Sequence, residues 1–297
     1  MTQINGKYLL LTGGSRGIGP VIADALARRG AHIALAARSQ EGLNRVAESL
    51  RKFEMQILTV SVDLAKPAER RKLVSTVLEK FGAIDILINN AGLESEGAYL
   101  DLPWETIRET LEVNLIAPME LTYLVLPHML EKKMGHIVNI ASVAAKCGGP
   151  YAATYAATKA GLAEWAYGLH LELENTGVRF STIFPGYITE VGMFARFGVT
   201  PPRSVGSCTP AQVANAVVKA IEHNSLDVVV NSFPTRVFVH SGNCHLLLES
   251  GCIRHPAPWS SNARKLVCSV RKREICCPIQ RAAGVGYIPR FRALFLA

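Results

Sequence analysis

The sequence predicts an α/β fold of the Rossmann type, a doubly wound parallel sheet of about seven strands with helices on both faces. Residues 7–230 alternate short apolar runs with longer amphipathic runs. The short runs are rich in Ile, Val and Leu and are apolar on both faces, as buried parallel strands must be. A glycine-rich turn follows the first run, and strands that alternate with helices indicate βαβ units.

The same alternation assigns the individual elements. The apolar runs predict seven strands, at Tyr8–Thr12, His32–Ala36, Gln56–Val62, Ile84–Asn89, His136–Ala141, Arg179–Phe184 and Asp227–Asn231. The amphipathic runs predict six helices, at Ile18–Arg29, Glu41–Lys52, Ala68–Phe81, Trp104–Lys132, Ala152–Asn175 and Pro210–His223. Their order is that of one continuous sheet domain rather than of two separate domains.

Composition divides the 297 residues into a domain of residues 1–240 and a basic, Cys-rich extension of residues 241–297. The extension holds nine Lys/Arg and two Asp/Glu, a net charge of +7, whereas the domain has a net charge of only +1. The domain therefore lacks the charge of a nucleic-acid-binding protein. The extension either binds anionic lipid or nucleic acid, binds metal, or is an irregular segment without chemistry, such as a frameshift would produce. Its Cys and His spacing matches no zinc finger, so the last reading is preferred and no metal site is predicted.

The N-terminus and the hydrophobic runs bear on the compartment. Residues 1–7 lack the features of a secretory signal and lead at once into a strand-like run. No uninterrupted apolar run approaches the roughly 18 residues of a membrane span. We therefore expect a cytoplasmic protein with reduced thiols.

The turn after the first strand has the pattern of a phosphate-binding loop. Here Gly13 permits a tight turn, Gly17 allows close approach to a pyrophosphate, and Gly19 allows the helix to pack on the strand. The N-terminus of the following helix presents free N–H groups to phosphate. The loop predicts a dinucleotide site formed by Gly13, Ser15, Arg16, Gly17, Ile18 and Gly19.

The end of the second strand indicates which dinucleotide is bound. An NAD-binding protein usually carries an acidic residue there for the ribose 2′-hydroxyl. This chain has Ala-Ala-Arg-Ser, with Arg38 in place of an acid, and Arg16 stands in the glycine loop. Arginine matches the geometry of phosphate, so both residues favour the 2′-phosphate of NADP(H) over NAD(H).

A second group of residues has the chemistry of a proton donor. The spacing of Tyr155 and Lys159 puts both on one face of a helix. A nearby ammonium is expected to lower the pKa of the phenol from its usual value near 10, so that it exchanges protons near neutrality. Ser142 follows the fifth strand, where its hydroxyl can bond a substrate oxygen.

In these motifs and their order the chain resembles the classical short-chain dehydrogenase/reductase family over about residues 5–235. The resemblance implies that Ser142, Tyr155 and Lys159 are catalytic, that Lys159 also binds the nicotinamide ribose, and that Asn114 helps to hold a proton-relay water. It implies further cofactor contacts from Asp63, on the adenine side, and from Leu64, Asn90, Ala91, Gly92, Tyr155, Pro185, Gly186 and Ile188. Helices Trp104–Lys132 and Ala152–Asn175 resemble those that build the family's homodimers and homotetramers.

The chain departs from the family at one position. Where the family often has a Thr that contacts the nicotinamide carboxamide, this chain has Glu190, preceded by Thr189. Either Thr189 or backbone groups would then make that contact.

The sequence therefore predicts an NADP(H)-dependent oxidoreductase that moves a hydride between nicotinamide and a carbonyl or alcohol. Apolar residues in Val191–Ser207, at the position of the family's mobile lid, suggest a ketone or acyl-type substrate, although they could equally be packing. The alternatives are a cofactor-binding regulator that has lost catalysis and, with less support, a nucleotide-sugar epimerase.

Overall fold

The computed structural model describes residues 1–190 and 206–231, which form a seven-stranded parallel sheet flanked by helices. The strands are β1 Tyr8–Thr12, β2 His32–Ala37, β3 Ile57–Ser61, β4 Ile86–Asn89, β5 Gly135–Ile140, β6 Val178–Pro185 and β7 Asp227–Val230. The spatial order is β3-β2-β1-β4-β5-β6-β7. This is the doubly wound order with one further strand, and it confirms the predicted fold.

The helices lie between successive strands. They are α1 Gly19–Ala27, α2 Gln40–Leu50, α3 Pro67–Phe81, α4 Trp104–Leu111, α5 Ala117–Glu131, α6 Ala153–Glu172 and α7 Pro210–His223. The predicted helix Trp104–Lys132 is interrupted, because a π-helical turn, Glu112–Ile116, joins α4 to α5. Short 3-10 helices at Arg51–Phe53, Tyr99–Asp101 and Val143–Ala145 were not predicted.

Alternating side chains of the strands build a core on each face of the sheet. Leu9 and Leu11 of β1 pack with α1, α2 and α7, while Leu10 packs with α3, α5 and α6. All three leucines have no exposed surface. Because successive side chains of a strand point to opposite faces, a run of three leucines is what two covered faces require.

Residues Trp104–Glu131 form a helical stretch of 28 residues that is long and apolar enough to cross a membrane by length and composition alone. Leu121, Val125 and Met129 of this stretch are buried against the sheet. A core helix of this kind passes the same test.

The parallel arrangement brings the carboxyl ends of all seven strands to one edge of the sheet. The glycine loop follows β1, Arg38 follows β2, Asp63 lies just beyond β3, and Ser142 lies just beyond β5. This edge is where ligands bind in open α/β sheets. The predicted boundary at residue 240 and the extension 241–297 lie outside the described residues.

Candidate active site

The glycine loop needs glycine for steric reasons. Gly13 and Gly17 have φ angles of 68° and 64°, in the left-handed region that favours glycine. A Cβ at Gly13 would lie 2.8 Å from the Asn90 side-chain nitrogen, and a Cβ at Gly19 would overlap the carbonyl oxygen of Gly13. The tight turn and the close helix–strand packing expected from the sequence are therefore both present.

The loop after β4 is fastened to the glycine loop. The Thr12 hydroxyl donates to Ile88 O at 3.2 Å and accepts from the backbone N–H groups of Asn90 and Ala91 at 3.0 and 3.1 Å. The Asn90 amide donates to the carbonyl oxygens of Thr12 and Gly13 at 2.9 and 3.2 Å. These bonds hold the glycine loop and the loop after β4 together, and they occupy the amide nitrogen of Asn90.

A cavity of about 260 Å³ opens at this edge of the sheet. Eight residues predicted to contact the cofactor line it, namely Gly13, Ser15, Arg16, Arg38, Asp63, Leu64, Ala91 and Gly92. The predicted residues that do not line it are Gly17, Ile18, Gly19, Asn90, Tyr155, Lys159, Pro185, Gly186 and Ile188. Its other lining residues, which the sequence analysis did not select, are Ala37, Ser39, Val62, Leu93 and Val113. Most of these five are immediate neighbours of a predicted residue, which is the signal that could have found them.

Arg38 lines this cavity, and its side chain is about half exposed. Its guanidinium lies 3.6 Å from the Glu109 carboxylate of α4. The neighbouring Ser39 caps α2, because its hydroxyl accepts from Gly42 N at 3.1 Å. The position that would hold the acid of an NAD site is therefore occupied by a cation.

Lys159 of α6 lies next to the cavity wall and one helical turn after Tyr155. Its side chain is buried, and its ammonium donates to Ile140 O at 2.8 Å. A Cβ built on Gly92, which lines the cavity, would lie 3.5 Å from both Lys159 Nζ and Asn114 Oδ1. Burial lowers the pKa of Lys159 to about 8, so the amine remains mostly protonated at neutral pH.

Asn114 lies in the π-helical turn between α4 and α5 and has no exposed surface. Its side-chain oxygen accepts from Leu93 N at 2.7 Å, and its nitrogen donates to Leu93 O at 2.8 Å and to the Thr158 hydroxyl at 3.2 Å. The amide thus joins the loop after β4 to α6. Single π-helical turns inside α-helices are frequent at functional sites.

Burial raises the pKa of the Tyr155 phenol, a hydrogen bond with Ser142 offsets part of this increase, and the carboxylates of Glu94 and Glu96 add to it. The pKa of Tyr155 is therefore raised above its usual value, and the expected lowering by Lys159 is wrong for this structure. The cause is geometric, because the Lys159 ammonium bonds to Ile140 O and lies 5.8 Å from the centre of the Tyr155 ring. A phenol with a raised pKa carries its proton at neutral pH and can act only as the donor while it does so.

Ser142 also has the structural role that the end of a strand suggests. Its hydroxyl accepts from Ala144 N at 3.1 Å and so caps the 3-10 helix Val143–Ala145. This bond uses only the hydroxyl oxygen, so the hydroxyl proton remains available for the hydrogen bond with Tyr155.

The segment after β6 is held by backbone bonds. Gly186 N donates to Val230 O at 2.9 Å, and Ile188 forms a parallel bridge with Cys208. The Thr189 hydroxyl donates to Cys208 O at 3.4 Å, whereas Glu190 has a left-handed φ of 70°. The lid expected at Val191–Ser207 lies outside the described residues except for its last two positions.

The model of the family described as short chain dehydrogenase matches residues 7–199 of this sequence. The chain belongs to the short-chain dehydrogenase/reductase family. It is accordingly an oxidoreductase of the class that interconverts alcohols and carbonyl compounds.

Curated relatives of this dehydrogenase match most of its length. It is 41% identical over 234 residues to ketoacyl reductase HetN of Nostoc sp., which covers 79% of this chain and 82% of the relative. It is 31% identical over 241 residues to dehydrogenase/reductase SDR family member 7B of Danio rerio, with coverage of 77% and 78%.

Solved structures of the family are similar as well. Actinorhodin polyketide ketoreductase with NADPH has a TM-score of 0.72 and 30% identity, with 79% of this chain and 99% of that chain covered. An alcohol dehydrogenase of Thermococcus sibiricus complexed with 5-hydroxy-NADP has a TM-score of 0.69 and 28% identity, with coverage of 77% and 97%.

Arg70 of α3, which the sequence did not indicate as a site residue, is 1% exposed. Its guanidinium bonds to Leu64 O at 2.6 Å, to Glu112 at 2.7 Å and to Glu120 at 2.5 Å. Arg70 thereby connects the cavity wall after β3 to the π-helical turn that carries Asn114. Nothing in the local pattern marks it, because a single basic residue in an amphipathic helix usually faces solvent.

Proposed function

We propose that this protein is an NADP(H)-dependent reductase of ketone or acyl-type carbonyl compounds, with Tyr155 as the general acid. The observation that carries the proposal is the position of Lys159, whose ammonium is next to Gly92 on the cavity wall and one helical turn from Tyr155. Lys159 is therefore next to both the proposed cofactor site and the proposed proton donor.

The residues present fit a nicotinamide dinucleotide phosphate. The glycine loop would hold the pyrophosphate, Asp63 and Leu64 the adenine, and Arg38 with Arg16 the 2′-phosphate, all of which line the cavity except part of the loop. Within the described residues the Lys159 ammonium donates to one acceptor, Ile140 O, so two of its three N–H groups remain for the ribose hydroxyls. The NADPH and 5-hydroxy-NADP complexes among the similar structures support this choice.

The geometry supports the following chemistry. NADPH, when bound, supplies the hydride that the carbonyl carbon accepts. Tyr155 donates its phenolic proton to the carbonyl oxygen, and the Ser142 hydroxyl bonds to the same oxygen and polarises it. Lys159 holds the cofactor ribose beside the phenol, and the phenolate that remains takes a proton from solvent, with Asn114 holding the relay water.

The substrate class and the direction are supported by two relatives. HetN and a protein of Streptomyces coelicolor bear the description ketoacyl reductase. These descriptions favour reduction of β-ketoacyl compounds over oxidation of alcohols. The raised pKa keeps Tyr155 in the protonated form, which is the form that donates to a carbonyl oxygen.

The first test is Tyr155→Phe, with Tyr99→Phe of the exposed 3-10 helix Tyr99–Asp101 as the matched control. We expect Tyr155→Phe to lower kcat by at least about a hundredfold, since general acid catalysis contributes roughly 10²–10⁴-fold, and to leave the Kd for NADPH within a few-fold. Oxidation of NADPH with a panel of β-ketoacyl thioesters and simple ketones measures kcat. A protein that binds NADPH but reduces none of these carbonyls would support the regulator instead.

The second test is Arg38→Asp, which restores an acid after β2. A charge-assisted hydrogen bond is worth about 1.5–3 kcal/mol, so the preference for NADPH over NADH should fall by roughly tenfold to a hundredfold. Fluorescence titration with both cofactors measures it. An unchanged ratio of the two Kd values would refute the NADP(H) assignment.

We also propose that the protein is a homodimer or homotetramer that uses α5 and α6. These helices expose large apolar side chains, at Tyr123 (76%) on α5 and at Tyr167 (49%) and Leu171 (52%) on α6. Sedimentation of the unmodified chain and of Tyr123→Glu tests this, because a monomer in both cases would exclude the interface.

A further inference from the structure

Arg38, which lines the cofactor cavity, forms an ion pair with Glu109 of α4. Arg38 Nη1 lies 3.6 Å from Glu109 Oε1, and the side chains are 55% and 46% exposed. Arg38 lines the cavity and is the residue that would hold a 2′-phosphate. An anion that binds Arg38 would therefore lie close to the Glu109 carboxylate.

Glu109 is held in place by a helix rather than by a loop. It lies on α4, four residues before Val113, which lines the cavity, so both occupy the same side of this helical stretch. Ile107 and Thr110 of the same helix are buried and anchor α4. The following π-helical turn is held by the ion pair between Arg70 and Glu112 at 2.7 Å.

We propose that Glu109 is a specificity-determining residue that weakens binding of the 2′-phosphate and so reduces the preference for NADP(H) over NAD(H). The inference rests on the proposed cofactor and on the role of Arg38. NADP(H) places a phosphate of roughly −1.5 to −2 charges beside the Glu109 carboxylate. NAD(H) places only a hydroxyl there and leaves the ion pair intact.

The expected effect is small but specific. Exposed ion pairs are worth up to about a fivefold change in an equilibrium constant, and charges this exposed are partly screened by salt. Removal of the Glu109 charge should therefore lower the Kd for NADPH about two- to fivefold and leave the Kd for NADH unchanged within measurement error.

The experiment compares Glu109→Gln with Glu105→Gln in the full chain. Glu105 is exposed and lies one turn earlier on α4, so its substitution makes the same change in net charge. The Kd values for NADPH and NADH are measured by fluorescence titration at about 50 mM and about 500 mM salt. We expect tighter NADPH binding only for Glu109→Gln, a smaller gain at high salt, and no gain in an Arg38→Ala background.

Three outcomes would overturn the inference. Weaker NADPH binding by Glu109→Gln would mean that the carboxylate orients Arg38 for phosphate. Equal tightening of both cofactors, or an equal effect of Glu105→Gln, would mean a general charge effect. If Arg38→Asp leaves cofactor preference unchanged, the proposed function fails first; if it changes the preference and Glu109→Gln does not, only the role of Glu109 fails.

Discussion

The buried histidine of β5 should make the protein sensitive to mild acid. His136 has no exposed surface, and its Nε2 is 2.8 Å from the Ser181 hydroxyl, while its Nδ1 is 3.2 Å from the Thr2 hydroxyl. Burial, together with the charges of Arg179 and the N-terminus, lowers the pKa of His136 to about 3. The folded protein therefore keeps this imidazole neutral well below pH 6.5.

The sign and size of the effect follow from proton linkage. The unfolded chain has a histidine pKa of about 6.5, so between that pH and about 3 it binds one more proton than the folded chain. The free energy of unfolding consequently falls as the pH is lowered. From about pH 7.5 to about pH 5 the loss is about 2 kcal/mol at roughly 1.4 kcal/mol per pH unit. This loss depends little on the exact pKa of His136 in the folded protein, because pH 5 is well above that pKa of about 3.

Urea denaturation at these two pH values measures the effect in the unmodified chain, in His136→Gln and in the control His128→Gln. His128 is exposed at the end of α5. His136→Gln should be less stable at pH 7.5 but should lose about 2 kcal/mol less between the two pH values, whereas His128→Gln should follow the unmodified chain. If His136→Gln loses as much stability as the unmodified chain, the buried imidazole is not the origin of the acid sensitivity.

Three further predictions follow from the site. Gly19→Ala should lower the free energy of unfolding by about 1–3 kcal/mol and weaken NADPH binding, since the added Cβ would overlap Gly13 O. Gly168→Ala is the control, because a Cβ there would meet no atom of the described residues within 4 Å, and it should be neutral or stabilising in thermal melts. The kcat for carbonyl reduction should fall as the pH rises above about 8, because Lys159 loses its charge there while Tyr155 stays protonated; a flat pH profile up to about 9.5 would contradict this. A chain that ends at residue 240 should fold and bind NADPH, because the seventh strand ends at Val230; circular dichroism and cofactor titration would reveal an insoluble or cofactor-blind product.

The sequence by itself determined the sheet, the glycine loop and the positions of the chemical groups. These features are local, since a run such as Leu9–Leu11 is buried on both faces in any parallel sheet, and Tyr155 and Lys159 meet through helical spacing alone. β1 and α7 have the predicted bounds, the predicted helix Trp104–Lys132 is divided by a π-helical turn, and the other predicted elements differ from the structure by a few residues at their ends. The hydrophobic period locates an element well but leaves its ends to capping and local hydrogen bonds.

Only the tertiary structure decided how these groups act on one another. The spacing of Tyr155 and Lys159 suggested a lowered phenol pKa, but burial and the carboxylates of another loop raise it. The π-helical turn that carries Asn114, and the bonds of Arg70 across 42 and 50 residues of chain, depend on the packing of α3 against α4 and α5. Desolvation and contacts between distant segments arise only when the chain is folded, and a local pattern therefore carries no signal for them.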